Sequence, residues 1–192
     1  SARNQASGEG TTRAVPAPQC SGWGEKLMRL DEFIDRFLVG EGRSGTGYLA
    51  QHALFDQLPQ LLSDFTVPDL CSHGKLQHMN AWLGPGGTVT PLHFDSYDNL
   101  FAQVVGYKYI RLYDRAQTPY VYARAAGGSG VQAQGNLSAV DAEAPDLQAF
   151  PRFAQAEYTE IVLGPGEILF VPSGCWHYVR SLSTSFSISF WF

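Results

Sequence analysis

Apolar residues recur at helical spacing early in the chain. Leu30, Phe33, Ile34, Phe37 and Leu38 fall on one face with charges between them, which predicts an amphipathic helix over 30–39. The glycine-rich run 40–47 then reads as a loop, and a short helix over 53–63 is expected after a strand at Tyr48. From about Gln77 the period shortens to that of strands broken by turns. Strands are predicted at 80–83 and 88–95, on either side of Gly84-Pro85-Gly86-Gly87. Two more, 99–105 and 107–113, flank Gly106 and are expected to form a tight hairpin. Residues 116–150 read as loop, with Gly127-Gly128-Ser129-Gly130 as an insertion. Strands at 158–163, 167–171, 176–181 and 185–192 close the chain. Many short strands with regular turns predict a mainly β sandwich or barrel with a few short helices.

Composition narrows the class. A length of 192 residues fits one domain with a substantial core, and 44% hydrophobic with 13% aromatic residues argues against disorder over most of it. Residues 1–22 lack periodicity and are expected to be a mobile lead-in to a domain spanning 23–192. A net charge of -5 with 13 basic residues offers no footprint for nucleic acid and tilts toward basic peptides. No apolar run approaches a membrane span. Cys20, Cys71 and Cys175, odd in number and widely spaced, suggest neither a disulfide framework nor a zinc site.

The chemistry concentrates in Thr90-Pro91-Leu92-His93-Phe94-Asp95. In an extended strand His93 and Asp95 point one way and Phe94 the other. With 5 His and 18 acidic residues, chance alone supplies roughly half of one such triplet, so the triplet needs company. His177, on a much later strand, is the obvious third ligand. Two imidazoles and one carboxylate with an open face form the facial triad of non-haem Fe(II) oxygenases. Lys108, on a strand that follows the ligand strand, can reach inward as a compact cation for an anionic cosubstrate. His52, His73 and His78 read as ordinary surface or core-edge residues, and Cys175 as a small buried hydrophobe.

The run from Asn80 to Asp95, the stretch Gly47–Pro59 and the ending Pro165-Gly-Glu-Ile-Leu-Phe-Val-Pro…Trp176-His-Tyr-Val…Ser187-Ile-Ser-Phe-Trp191 resemble JmjC-domain oxygenases of the cupin superfamily. Within them the likeness is to the lysine demethylase 8, or JmjC-domain protein five, group. It covers about Trp23 to Phe192. The resemblance implies a double-stranded β-helix, a jelly roll in which His93, Asp95 and His177 meet as Fe(II) ligands. It implies 2-oxoglutarate and O₂ as cosubstrates, with Tyr48, Thr90, Asn99 and Lys108 around 2-oxoglutarate and Trp23 and Trp82 around the substrate. The implied activity is hydroxylation of arginyl side chains in protein substrates, in the nucleus or cytoplasm. One alternative is N-methyl-lysine or methyl-arginine demethylation by the same oxidant. Others are a non-catalytic, truncated binding module or a metal-binding cupin of another kind. The family carries further N-terminal strands, one with an acidic residue facing the substrate, and nothing before Trp23 is a recognisable equivalent. The expectation is an incomplete copy of the domain or a branch that has lost that part.

Overall fold

The computed structural model describes residues 24–40, 45–124 and 135–192. The expected lead-in over 1–22, Trp23 and the glycine-rich insertion at 127–130 lie outside the described residues. Among the described residues, nine strands form two antiparallel sheets. They are β1 (Leu49–His52), β2 (His78–Gly84), β3 (Val89–His93), β4 (Asn99–Val105), β5 (Lys108–Tyr113), β6 (Thr159–Leu163), β7 (Ile168–Val171), β8 (Trp176–Ser181) and β9 (Ser185–Trp191). One sheet runs β1-β2-β9-β4-β7, the other β3-β8-β5-β6. From β2 to β5 and again from β6 to β9, chain neighbours alternate between the sheets, which is the winding of a jelly roll.

That winding corrects one expectation. β4 and β5 do not pair as a hairpin across Gly106: β4 pairs with β7 and β9, β5 with β6 and β8. The turn passes the chain from one sheet to the other instead. Gly106 has φ +73°, and a Cβ there would lie 2.0 Å from the Thr184 carbonyl oxygen, so the corner needs glycine.

Alternation then sorts the side chains. On β9, Phe186, Ile188 and Phe190 face away from the barrel and pack with Phe33, Leu49, Leu54, Phe55 and Leu100, beneath the helical segments. The intervening Ser187 and Ser189 face inward, where Gln103 and Trp82 bond to them. Phe101, Ile110, Leu163 and Val179 fill the space between the sheets. Outside the smaller sheet, Leu92, Tyr113, Trp176 and Tyr178 pack under the segment carrying Val140, Ala142 and Phe153. Arg180 and Tyr178 clamp that segment through Glu143.

The helical segments follow the sequence with two adjustments. The first begins as α1 (Leu30–Ile34) and widens into a π turn over Asp35–Val39, closed by the Gly40 N–H on the Asp35 carbonyl at 2.8 Å. The expected helix over 53–63 is two pieces, α2 (Leu54–Gln57) and a 3₁₀ turn over Pro59–Asp64. Pro59 disfavours helical geometry at Leu58, whose φ of -126° marks the break.

Candidate metal centre

β3 lies at the edge of its sheet, and that position explains how it carries its residues. Pro91 has no N–H to donate, which an edge strand tolerates. Pairing with β8 runs Val89↔Arg180 and Thr90↔Val179, then shifts register before His93↔His177. The irregularity lets Thr90 and His93, three residues apart, both face the cleft. The strand expected over 88–95 ends at His93, so Asp95 is not presented by strand alternation. Beyond His93 the backbone leaves β8. The Phe94 N–H bonds to the Asn136 carbonyl, the Asn136 side chain returns a bond to the Phe94 carbonyl, and the Asp95 carbonyl accepts from the Gly174 N–H. These bonds, rather than a sheet ladder, aim the Asp95 carboxylate at the two histidines.

His93, Asp95 and His177 converge so that one donor atom from each lies within 4.8 Å of the others. Nε2 of His93 is 3.8 Å from Asp95 Oδ1, and Nε2 of His177 is 3.6 Å from Asp95 Oδ2. Both distances exceed a hydrogen bond and surround a common point. The Nδ1 positions are tied off: that of His93 lies 2.8 Å from the Pro91 carbonyl, that of His177 3.0 Å from the Cys175 carbonyl. A carbonyl can only accept, so each Nδ1 carries the proton and each Nε2 keeps its lone pair for a metal. Burial and the adjacent His93 hold His177 well below its usual pKa, keeping it neutral at physiological pH. The donor set fits a divalent transition metal, and its nitrogen–oxygen make-up fits Fe(II).

The other expected residues gather here too. Tyr48, Trp82, Thr90 and Asn99 line the same cleft, which encloses about 400 Å³ including its open mouth. Lys108 is 1% exposed, its ammonium 3.5 Å from the Tyr48 hydroxyl and 5.0 Å from the centre of the Phe101 ring. No carboxylate pairs with it among the described residues, and burial pulls its pKa down to about 7. Tyr48, within 3.4 Å of the Thr90 hydroxyl, is pushed up to about 12 by burial and remains a neutral phenol. Asn99 is buried, with no partner on its Oδ1 among the described residues. Trp82 donates its indole N–H to Ser189 at 2.6 Å and tilts against the Tyr48 ring, centroids 6.1 Å apart. Sequence reasoning missed Phe101 and Ser189. Their signal was the inward phase of β4 and β9, which only the pairing β4-β9-β2 makes readable.

A family model described as a cupin-like domain matches residues 9–192. The chain is 50% identical over 173 residues to lysine-specific demethylase 8 of Danio rerio, an alignment covering 88% of this chain and 41% of that protein. It is 45% identical over 202 residues to JmjC domain-containing protein F of Dictyostelium discoideum, covering 88% and 42%. To lysine-specific demethylase JMJ30 of Arabidopsis thaliana it is 42% identical over 175 residues, covering 90% and 40%. The chain thus spans about two-fifths of the length of these curated relatives. The two alternating sheets, the His-Asp-His convergence between them and these matches lead to one conclusion: the chain belongs to the cupin-like family, in its JmjC branch.

Proposed function

We propose that this protein is an Fe(II)- and 2-oxoglutarate-dependent oxygenase that hydroxylates arginyl side chains of protein substrates. The observation that carries the reading is the convergence of His93, Asp95 and His177 with both Nδ1 protons tied to backbone carbonyls. Those three residues would hold the iron, which with 2-oxoglutarate and O₂ supplies oxidation of an unactivated C–H bond, 2-oxoglutarate leaving as succinate and CO₂. The chain's own residues do the positioning. Lys108 is a buried cation waiting for an anion, and it takes the distal carboxylate of the cosubstrate. The Tyr48 and Thr90 hydroxyls, already in line with the Lys108 ammonium, complete the donors around that carboxylate. Asn99 lines the cleft beside the ligands and keeps an acceptor free. The barrel walls, Phe101, Ile110 and Val179 among them, exclude water from the oxidation.

The choice of arginine rests on the substrate side of the cleft. Trp82 and Tyr48 present aromatic faces on which a planar guanidinium stacks, and the Asn99 Oδ1, without a partner among the described residues, accepts from its N–H groups. The net charge of -5 favours a basic peptide.

A second reading, N-methyl demethylation, is favoured by the names of two of the relatives, both lysine-specific demethylases. The oxidation step is shared. Hydroxylation on an N-methyl carbon gives a carbinolamine that expels formaldehyde, whereas hydroxylation on a side-chain carbon leaves the oxygen in place. Incubating purified protein with Fe(II), 2-oxoglutarate and arginine-containing peptides, with mass analysis and a formaldehyde assay, separates the two. A peptide that gains one oxygen atom without formaldehyde is the expected result. Formaldehyde in step with succinate, from methylated peptides only, would overturn arginyl hydroxylation in favour of demethylation.

A further inference from the structure

On the strands that flank the cleft, two buried side chains hold donors that no described residue accepts. The indole N–H of Trp191 and the carboxamide nitrogen of Asn80 have no partner among the described residues, and each residue is only 7% exposed. Buried donors are nearly always satisfied, and one left over calls for an explanation, a group absent from the structure being one. Both sit beside the site. Asn80 pairs across the sheet with Ser189, which lines the cleft, and Trp191 pairs with Asn99, which also lines it. Alternation on β2 and β9 puts Asn80 on the Trp82 side and Trp191 on the Ser189 side, the inward face of the barrel. Trp82, by contrast, has its donor satisfied by Ser189.

Around Trp191 the rim is aromatic. Tyr97, on the bend between the ligand Asp95 and β4, stacks on the Trp191 indole at 5.4 Å and 21° between planes. The exposed His78 ring meets both edge-on, 5.7 Å from Tyr97 and 6.1 Å from Trp191. An aromatic platform next to the cleft-lining Asn99, with unmet donors and no carboxylate among its own residues, suits a ligand that offers acceptors and is itself uncharged there. A guanidinium or ammonium offers only donors and does not satisfy these positions. A peptide main chain offers a carbonyl oxygen at every residue.

We infer that Trp191 and Asn80 bind main-chain carbonyls of the substrate flanking the target side chain, the Tyr97–Trp191 stack shifting to admit them. The inference rests on the reading of this site as one that takes a protein substrate. It assigns the two residues a specificity role: they favour an extended peptide over a free amino acid and leave the oxidation itself untouched.

The test has a direct readout. In uniformly ¹⁵N-labelled protein loaded with Zn(II) and 2-oxoglutarate, the indole N–H signals of Trp82 and Trp191 are assigned by their loss in Trp82→Phe and Trp191→Phe. Titration with an arginine-containing peptide is expected to move both, with the Trp191 signal shifting downfield as its proton gains an acceptor. Movement of Trp82 with a static Trp191 would overturn this inference and leave the peptide-substrate reading standing. If neither signal moves, no peptide binds, and the broader reading falls together with this one. Kinetics supply the second arm. Trp191→Phe keeps the ring and its stack, and Asn80→Ala removes the second donor. Each is expected to raise KM for the peptide by about tenfold, the scale of one lost hydrogen bond. Both should leave kcat and peptide-independent 2-oxoglutarate turnover within twofold. A fall in peptide-independent turnover together with a lower Tm would show a merely structural role and sink the proposal.

Discussion

At the scale of single residues, Lys108 combines the strongest constraint with the plainest consequence. Its ammonium is buried among Tyr48 and Phe101 without a countercharge among the described residues, which lowers its pKa from the ordinary 10.5 to about 7. The folded protein thus binds this proton more weakly than the unfolded chain does. Between pH 7 and 10.5 the unfolded chain keeps a proton that the folded one has lost, so this group makes stability rise with pH across that window. Below pH 7 the whole cost of the buried charge is present. Lys108→Met is therefore expected to stabilise the cosubstrate-free protein at neutral pH by about 1–4 kcal/mol, read by urea unfolding, while abolishing 2-oxoglutarate binding. A destabilised variant would mean that the ammonium is already paired. In the wild type a dicarboxylate bound at Lys108 would restore the charge, so binding above pH 7 should take up a proton. Calorimetry in buffers of different ionisation enthalpy should show that uptake at pH 8, with affinity falling by up to about tenfold per pH unit. Affinity flat from pH 6 to 9 would place the anion on another group.

Elements decide where such residues end up, and here sequence and structure part company in instructive places. His93, His177 and Lys108 were legible, because strand alternation and a late strand returning beside an early one are properties of pattern and spacing. Asp95 was found for a reason that does not hold: the strand stops at His93, and backbone bonds to Asn136 and Gly174 orient the carboxylate. The register shift between Thr90 and His93 was equally invisible, since a bulge has no hydrophobic signature of its own. The expected β4–β5 hairpin failed because alternation says which face a residue takes, not which sheet its strand joins. The glycine at that corner still carries a testable demand. Gly106→Ala must hold a left-handed φ and push aside the Thr184 carbonyl, so it should cost about 2 kcal/mol or more in urea unfolding. A loss below about 0.5 kcal/mol would show that the corner relaxes freely.

For the molecule as a whole, the two sheets are braced on their outer faces by helical segments on one side and by the Glu143-clamped segment on the other. The three candidate metal ligands line one cleft, drawn from the end of the edge strand β3 and from the central strand β8. Ligands that bind only the folded state stabilise it by mass action. Mn(II) with 2-oxoglutarate, each at about a hundred times its dissociation constant, should add roughly 2.7 kcal/mol per site and raise Tm measurably. His93→Ala should remove the metal-dependent part of that shift and leave the strands folded by circular dichroism. An unchanged shift would take His93 out of the ligand set.

The most direct test of the account is succinate formation by the purified protein with Fe(II), 2-oxoglutarate and an arginine-containing peptide, run beside Asp95→Ala. Peptide-stimulated succinate in the wild type, matched mole for mole by oxygenated peptide and reduced at least a hundredfold in Asp95→Ala, is the predicted result. Equal succinate from both proteins would mean that the His93, Asp95 and His177 cluster is not the centre at which the chemistry occurs.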